Sequence, residues 1–525
     1  MSLFRSPYVF LLAFAVIGCG QRAVKPEVSQ SENSAVDGKG RAAPASATSD
    51  DVLTSALFQL QPENFGINST TDKPVSLLNS WRYKRIEQGI VEQPVPASAP
   101  SGWVAADDET RLAQPKFDFT DAVHIRDSLF FHHIAGYLSD RGREELQRVA
   151  IVVDFVCRNV ALWKDDEIEI PLTPFASTQF GRGTADDRAW ICAEIFRQLR
   201  IDSIVLRANT DVKETTEKWL LGVLVERKVY LFDLRLGLPV SNGSGDKGTA
   251  PAALDEVVAH PELLEKMAAS GAYRLKIDDL RDPAVFVITE PNFWCDRMHS
   301  LEQALPASDT CVLYDPVSGK EGYPGLLERV ATAGGWAQDS LKLWTYPHQQ
   351  HEAALHPVPG AAQELQRLSM PFNVPYPFKM GDDGKPVIGA PERKLQRIRT
   401  DQLQGKFSDA TQRYLSIRHL EVERNPPDLE RLNRMASEDA FYWTGLCKFE
   451  LADYAGAVDQ LSAYLKKYDR KGKWFFSARS LLAQSYALQG QLAEAVSTLE
   501  RTSSDDPYQS ANAIRVKRWA AARSQ

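Results

Sequence analysis

From residue 118 onward the apolar positions recur with a helical period. Ile125, Leu129, His132, His133 and Tyr137 fall near one face, and Leu146, Ala150, Val153, Val156 and Cys157 form a second stripe, predicting two packed helices over 118–163. Pro171, Pro174 and Gly181-Arg182-Gly183 break the chain, after which Ala189, Cys192, Ile195, Phe196 and Leu199 trace a third amphipathic helix. Its start is well signalled: Thr184 can cap the free backbone N–H groups, and Asp187 sits three residues on, where it favours the helix dipole. The pattern then shortens to β-type runs at 203–207, 219–225 and 229–233 with polar turns between them. Helices followed by antiparallel strands predict an α+β domain. The stretch from about 245 to 390 mixes helical segments near 252–270 and 322–334 with strand-like 284–289 and many prolines; it reads as the rest of that domain plus an extension.

From about 393 the strand runs cease and helices dominate. A shift of 38 residues brings Asp453-Tyr454-Ala455-Gly456-Ala457 onto Gln491-Leu492-Ala493-Glu494-Ala495, so Ala457 and Ala495 are equivalent small residues that let two helices approach. A less regular copy precedes them at Gly405-Lys406-Phe407-Ser408-Asp409-Ala410. These units resemble tetratricopeptide repeats. Their usual period is about 34 residues, so the longer spacing implies an extended connection around Tyr468 to Lys473.

At the other end, Arg5 precedes an apolar run from Tyr8 to Ile17, too short to span a bilayer, which needs about 20 residues, but the length of a signal-peptide core. Val16-Ile17-Gly18-Cys19 resembles the bacterial lipobox, which implies that Cys19 becomes the lipid attachment site at a new N-terminus. Gly20 after it resembles lipoproteins sent to an outer membrane. Residues 20–52 carry almost no large apolar side chains and read as a disordered tether. Without Cys19 the cysteines are Cys157, Cys192, Cys295, Cys311 and Cys447, an odd and widely spaced set with neither a disulfide framework nor zinc spacing, although Cys295 and Cys311 are near enough to pair.

Composition narrows the functional classes. Hydrophobic content is 43% and charged content 25%, ordinary for a water-soluble body, and the net charge of -8 offers no basic excess for nucleic acid. The expected organisation is a signal peptide (1–19), the tether (20–52), an N-terminal extension (53–117), the α+β core (118–245), the uncertain extension (246–392) and the helical repeats (393–525).

Phe155-Val156-Cys157-Arg158-Asn159-Val160, Gly183-Thr184-Ala185-Asp186-Asp187-Arg188-Ala189 and Leu199-Arg200-Ile201-Asp202 together resemble the transglutaminase-like, papain-like cysteine superfamily, over about 120–240. The resemblance implies a fold of helices packed on an antiparallel sheet. It also implies a Cys–His–Asp triad whose nucleophile opens the helix, where the helix dipole and the histidine favour thiolate. Ala185 stands at the nucleophile position, Leu220 near the histidine position and Asp233 at the acid position, so only the aspartate survives. Asp233 alone is expected to be a strand-end residue. Cys192 falls on the apolar stripe, Thr184 lacks a base, and a nucleophile relocated to Cys295 or Cys311 would be the enzymatic alternative. His348, His351 and His356 in a polar loop lack partners for a metal motif, and adjacent His132 and His133 point in different directions. Trp294, Trp336 and Trp344 are expected in cores. The expectation is therefore an envelope lipoprotein without catalysis, cofactor or metal, tethered to a membrane by its lipid and binding a protein or peptide partner.

Overall fold

The computed structural model describes residues 48–523 except 68, 91–101, 104–105, 165–166, 210–217, 244–248, 270–272, 320–323, 374–377, 381–385, 389–393, 419–426 and 501–502. Cys19 and tether residues 20–47 lie outside the described residues. Where the tether was expected to run to 52, helix α1 (Ser49–Leu60) already begins, because Thr48 and Asp51 form a reciprocal capping box. With α2 (Asp72–Glu87) it builds a core of Leu53, Leu57, Leu78 and Trp81 against Ile125 and Leu129 of α3 (Phe119–Ser139).

Helices α3, α4 (Glu145–Asn159) and α5 (Ala185–Gln198) pack together. The amphipathic helix expected after Gly183 is instead buried all round: every residue of α5 except Asp186 is buried. Its charged residues are satisfied internally. Arg188 donates to the carbonyls of Cys157, Val160 and Leu234, and Arg197 meets Glu194 at 2.7 Å and Asp315 at 3.3 Å.

A six-stranded sheet lies beside α5. Strands β1 (Ser203–Arg207), β2 (Trp219–Val225), β3 (Lys228–Asp233) and β4 (Leu238–Pro239) form an antiparallel run, as the pattern predicts for the first three. The β2–β3 hairpin turns through Glu226 and Arg227 alone, both at positive φ (49° and 63°), the geometry that matches strand twist. Two further strands arrive from the stretch left uncertain: β5 (Ala284–Val287) pairs antiparallel with β1, and β6 (Lys342–Leu343) pairs parallel with β5. The sheet therefore does not end near 245. Val205, Trp219, Leu221, Val223 and Phe232 share the core of α5. Ile204, Leu206, Leu220 and Leu231 face a second core with Leu326, Leu327 and Val330 of α6 (Leu326–Gly334). Helix α7 (Tyr346–Leu355) follows β6.

The C-terminal part is a succession of helices, each packed on the next: α8 (Lys394–Leu403), α9 (Phe407–Arg418), α10 (Pro427–Glu450), α11 (Tyr454–Tyr468), α12 (Phe475–Leu488), α13 (Leu492–Glu500) and α14 (Gln509–Arg523). Gly405, Ala452 and Gly490 stand two residues before α9, α11 and α13 and all have φ between 58° and 87°. Ala410, Ala457 and Ala495, three residues into those helices, are fully buried. The 38-residue offset is thus a repeated turn and close helix approach, and the extra length falls in a 3-10 turn at Asp469–Lys471, where the sequence places it.

These repeats do not stand apart from the α+β part. Val156, Trp163 and Phe180 share one hydrophobic core with Ile398, Trp443 and Trp474. Arg399, wholly buried, donates to Asn159 Oδ1 (3.1 Å), Asn159 O (2.9 Å) and Thr178 O (3.1 Å) while lying 4.7 Å from the Trp443 ring centre. Glu450, 1% exposed, is bracketed by Arg141 and Arg158 at 2.9 and 2.8 Å.

Candidate functional site

The first turn of α5 is where the sequence places the degenerate nucleophile. Thr184 caps it as predicted: its side chain accepts from the Asp187 backbone N–H at 3.0 Å, and Asp187 Oδ2 accepts from the Thr184 N–H at 2.8 Å. Ala185 follows at 5% exposure. Tyr346, the first residue of α7, bridges the residues on either side of it, with its hydroxyl 3.0 Å from Thr184 Oγ1 and donating to Asp187 Oδ1 at 2.9 Å. The Tyr346 ring stacks on Trp344 (5.1 Å, 20°) and meets Trp190 edge-on (6.2 Å), and Trp344 in turn approaches Trp219 (6.5 Å). Aromatic rings thus gather at the first turn of α5, which holds Ala185, where the resemblance places the nucleophile. Burial pushes Asp187 up to about 7, against the hydrogen bonds from Thr184 and Tyr346, which favour its charged form.

The other two positions do not converge on Ala185. Leu220 packs in the second core, on the sheet face turned away from α5; its neighbours Trp219 and Leu221 are the ones that face the helix. Strand side chains alternate, so a side chain at Leu220 points away from Ala185. Asp233 is fully buried and holds a turn: Oδ1 accepts from the N–H groups of Arg235 and Leu236 at 3.0 Å each, while Oδ2 accepts from Tyr273 at 2.5 Å and pairs with Arg274 at 2.8 Å. Its donors are those of a structural strand end, and no imidazole is among them.

The thiols were the other enzymatic option. The structure contains five free cysteines among the described residues, none hydrogen-bonded to a histidine; Cys295 and Cys311 are unbridged. Both lie in the core of the N-terminal helices rather than in that of Ala185. Burial raises all five above the ordinary thiol range, Cys447 to about 12. Cys192 is completely buried, as its stripe position predicts.

The histidines expected in a polar loop instead sit on and at the end of α7. His351 Nε2 lies 3.3 Å from Glu290 Oε2, whose other oxygen accepts from Trp190 Nε1 at 2.8 Å, so His351 and Tyr346 fasten α7 across α5. His348 is exposed and His356 caps the helix end. Among the described residues no group of three or more His, Cys, Asp or Glu side chains is arranged to hold a metal ion. His132 is half-buried and His133 Nδ1 lies 3.2 Å from Gln404 Nε2. Trp294 and Trp344 are buried; Trp336 packs against Gly334. Tyr346 is the residue that sequence reasoning missed, and only its place two residues past Trp344, after the last strand of the sheet, could have pointed to it.

A second feature lies where α4, α5 and the repeats meet. A pocket of about 50 Å³ is lined by Cys157, Arg158, Arg188, Gly237, Tyr508 and Arg515 among others. Gly237 (φ 62°) forms part of its wall, where a Cβ would stand 3.3 Å from Cys157 Sγ.

The tetratricopeptide repeat family model matches residues 439–470, which span the end of α10 and all of α11. That match covers the repeat region in part and supports a helical repeat of the type that mediates protein–protein contact. Neither the curated proteins nor the solved structures contain a match to the chain.

Proposed function

We propose that this protein is a lipid-anchored envelope scaffold in which a transglutaminase-like domain has lost acyl-transfer chemistry and the repeats recognise a protein segment. The observation that carries the reading is the first turn of α5: Ala185 has no nucleophile, and Tyr346 hydrogen-bonds across it to Thr184 and Asp187. The tetratricopeptide match supports protein binding by the repeats. Val16-Ile17-Gly18-Cys19 supports the anchor and its attachment at Cys19. Restoring the thiol with Ala185→Cys should give neither hydrolysis nor transamidation of a glutamine-containing peptide, because no imidazole is bonded into the site to take its proton. Acyl-enzyme formation by that variant, or turnover by the unaltered protein, would overturn the non-catalytic part. Metabolic labelling with a radioactive fatty acid tests the anchor: label should enter the protein and be lost in Cys19→Ser.

A further inference from the structure

The pocket between α4, α5 and the repeats is unusual in its charges. Arg158 is answered by Glu450, and Asp154, the one carboxylate in the lining, stands 4.0 Å from Arg158 with its side chain 59% exposed. Arg188 and Arg515 have no carboxylate within 4.0 Å among the described residues. Arg188 is 1% exposed and bound only to carbonyl oxygens, whereas Arg515 is half-buried and makes a single hydrogen bond, to Asn512 Oδ1 at 3.3 Å. The lining sets three guanidiniums, Arg158, Arg188 and Arg515, against Asp154 alone, and the Glu450 carboxylate behind Arg158 is shared with Arg141, so the balance of charge around the pocket is positive. Hydroxyl donors complete the lining: the Tyr508 oxygen already accepts from the Leu162 N–H at 3.1 Å and lies 3.2 Å from Ser477 Oγ, so its own proton can turn toward a ligand.

We propose that this pocket binds a carboxylate. The size of about 50 Å³ suits one such group and little more. The positive balance suits an anion. Arg515 supplies the planar fork that pairs with two carboxylate oxygens, and Tyr508 supplies a neutral donor at the side. Because Tyr508 and Arg515 come from the repeats and Cys157 and Arg188 from the α+β part, the bound group would tie the two together. The proposal does not depend on the scaffold reading, since a free small acid and the C-terminus of a peptide present the same chemistry.

The test is calorimetric titration of the purified full chain with sodium acetate and with a short peptide bearing either a free or an amidated C-terminus, against sodium chloride at equal ionic strength. Saturable binding of acetate is expected, weakened at least tenfold by Arg515→Gln and less by Arg515→Lys. Cys157→Met, which fills the pocket without touching a charge, should abolish it. Circular dichroism checks that each variant is folded. Tighter binding of the free-acid peptide than of acetate would identify a chain terminus as the ligand, and acetate binding alone would identify a free small acid. Absence of saturable binding by both, or binding unchanged in Arg515→Gln and Cys157→Met, overturns the proposal.

Discussion

Arg399 offers the sharpest test of how the repeats are joined to the α+β part. Arg399→Ala would leave Asn159 Oδ1, Asn159 O and Thr178 O as buried acceptors without their donor, and would remove the cation from beside Trp443. Each orphaned acceptor costs about 1–3 kcal/mol, and a desolvated cation–π contact contributes about 2 kcal/mol. Against this, the guanidinium itself is desolvated, which lowers its pKa, and removing it recovers that penalty. The net expectation is a destabilisation of about 3–5 kcal/mol, the scale for removing one side of a buried charged network. Urea unfolding followed by tryptophan fluorescence reads it, since Trp443 and Trp474 flank the junction and ring centres 5.8 Å apart report on its packing. Arg399→Met, which restores most of the buried stem but no donor, should recover only the packing share. A loss below about 1 kcal/mol in Arg399→Ala would show that the carbonyls find other donors and refute the reasoning.

Further predictions concern pH, turn strain and helix approach. Asp187 is raised to about 7 in the fold from about 3.9 in an unfolded chain, so its contribution is fully present below about pH 4 and is lost as pH rises through 7, on the order of 4 kcal/mol. Asp187→Asn should therefore make the decline in unfolding free energy between pH 4 and 7 shallower, leaving a remainder from Glu194, also raised to about 7, and from Asp127 and Asp186, raised to about 6; an unchanged slope would count against the assignment. Ala452 occupies the left-handed position that Gly405 and Gly490 hold in the equivalent turns, so Ala452→Gly should raise the melting temperature through relief of about 1 kcal/mol of strain. Ala457→Leu should destabilise the repeats by about 1–3 kcal/mol, measured by thermal unfolding, because that fully buried alanine sets the approach of α10 and α11.

Local periodicity made much of this fold legible. The first three strands and the helices α3 to α5 before them follow directly from apolar spacing, and the small-residue register of the repeats marks the same turn three times. What escaped was decided by distant pairing. Strand β5 falls in the strand-like 284–289, but its partner β1 and the short β6 beside it lie about 75 and 55 residues of chain away, so its place in the sheet was not legible. Helix α5 reads as amphipathic because Arg188, Glu194 and Arg197 look like a solvated face, yet each is satisfied inside the molecule. Leu220, read from the sequence as a site position, lies on the sheet face away from α5, because strand side chains alternate and spacing alone does not say which face a strand turns to a helix. The hydrogen bonds that Tyr346 makes to Thr184 and Asp187 come from about 160 residues away, and no spacing rule reaches that far.

The core shared by the two halves also has a consequence for biosynthesis. Residues such as Val156, Trp163 and Phe180 are buried in part by helices that begin only at Lys394, so the earlier part emerges from the ribosome with that face bare. The earlier part therefore cannot complete its own core, and the two parts must fold as one unit wherever folding takes place.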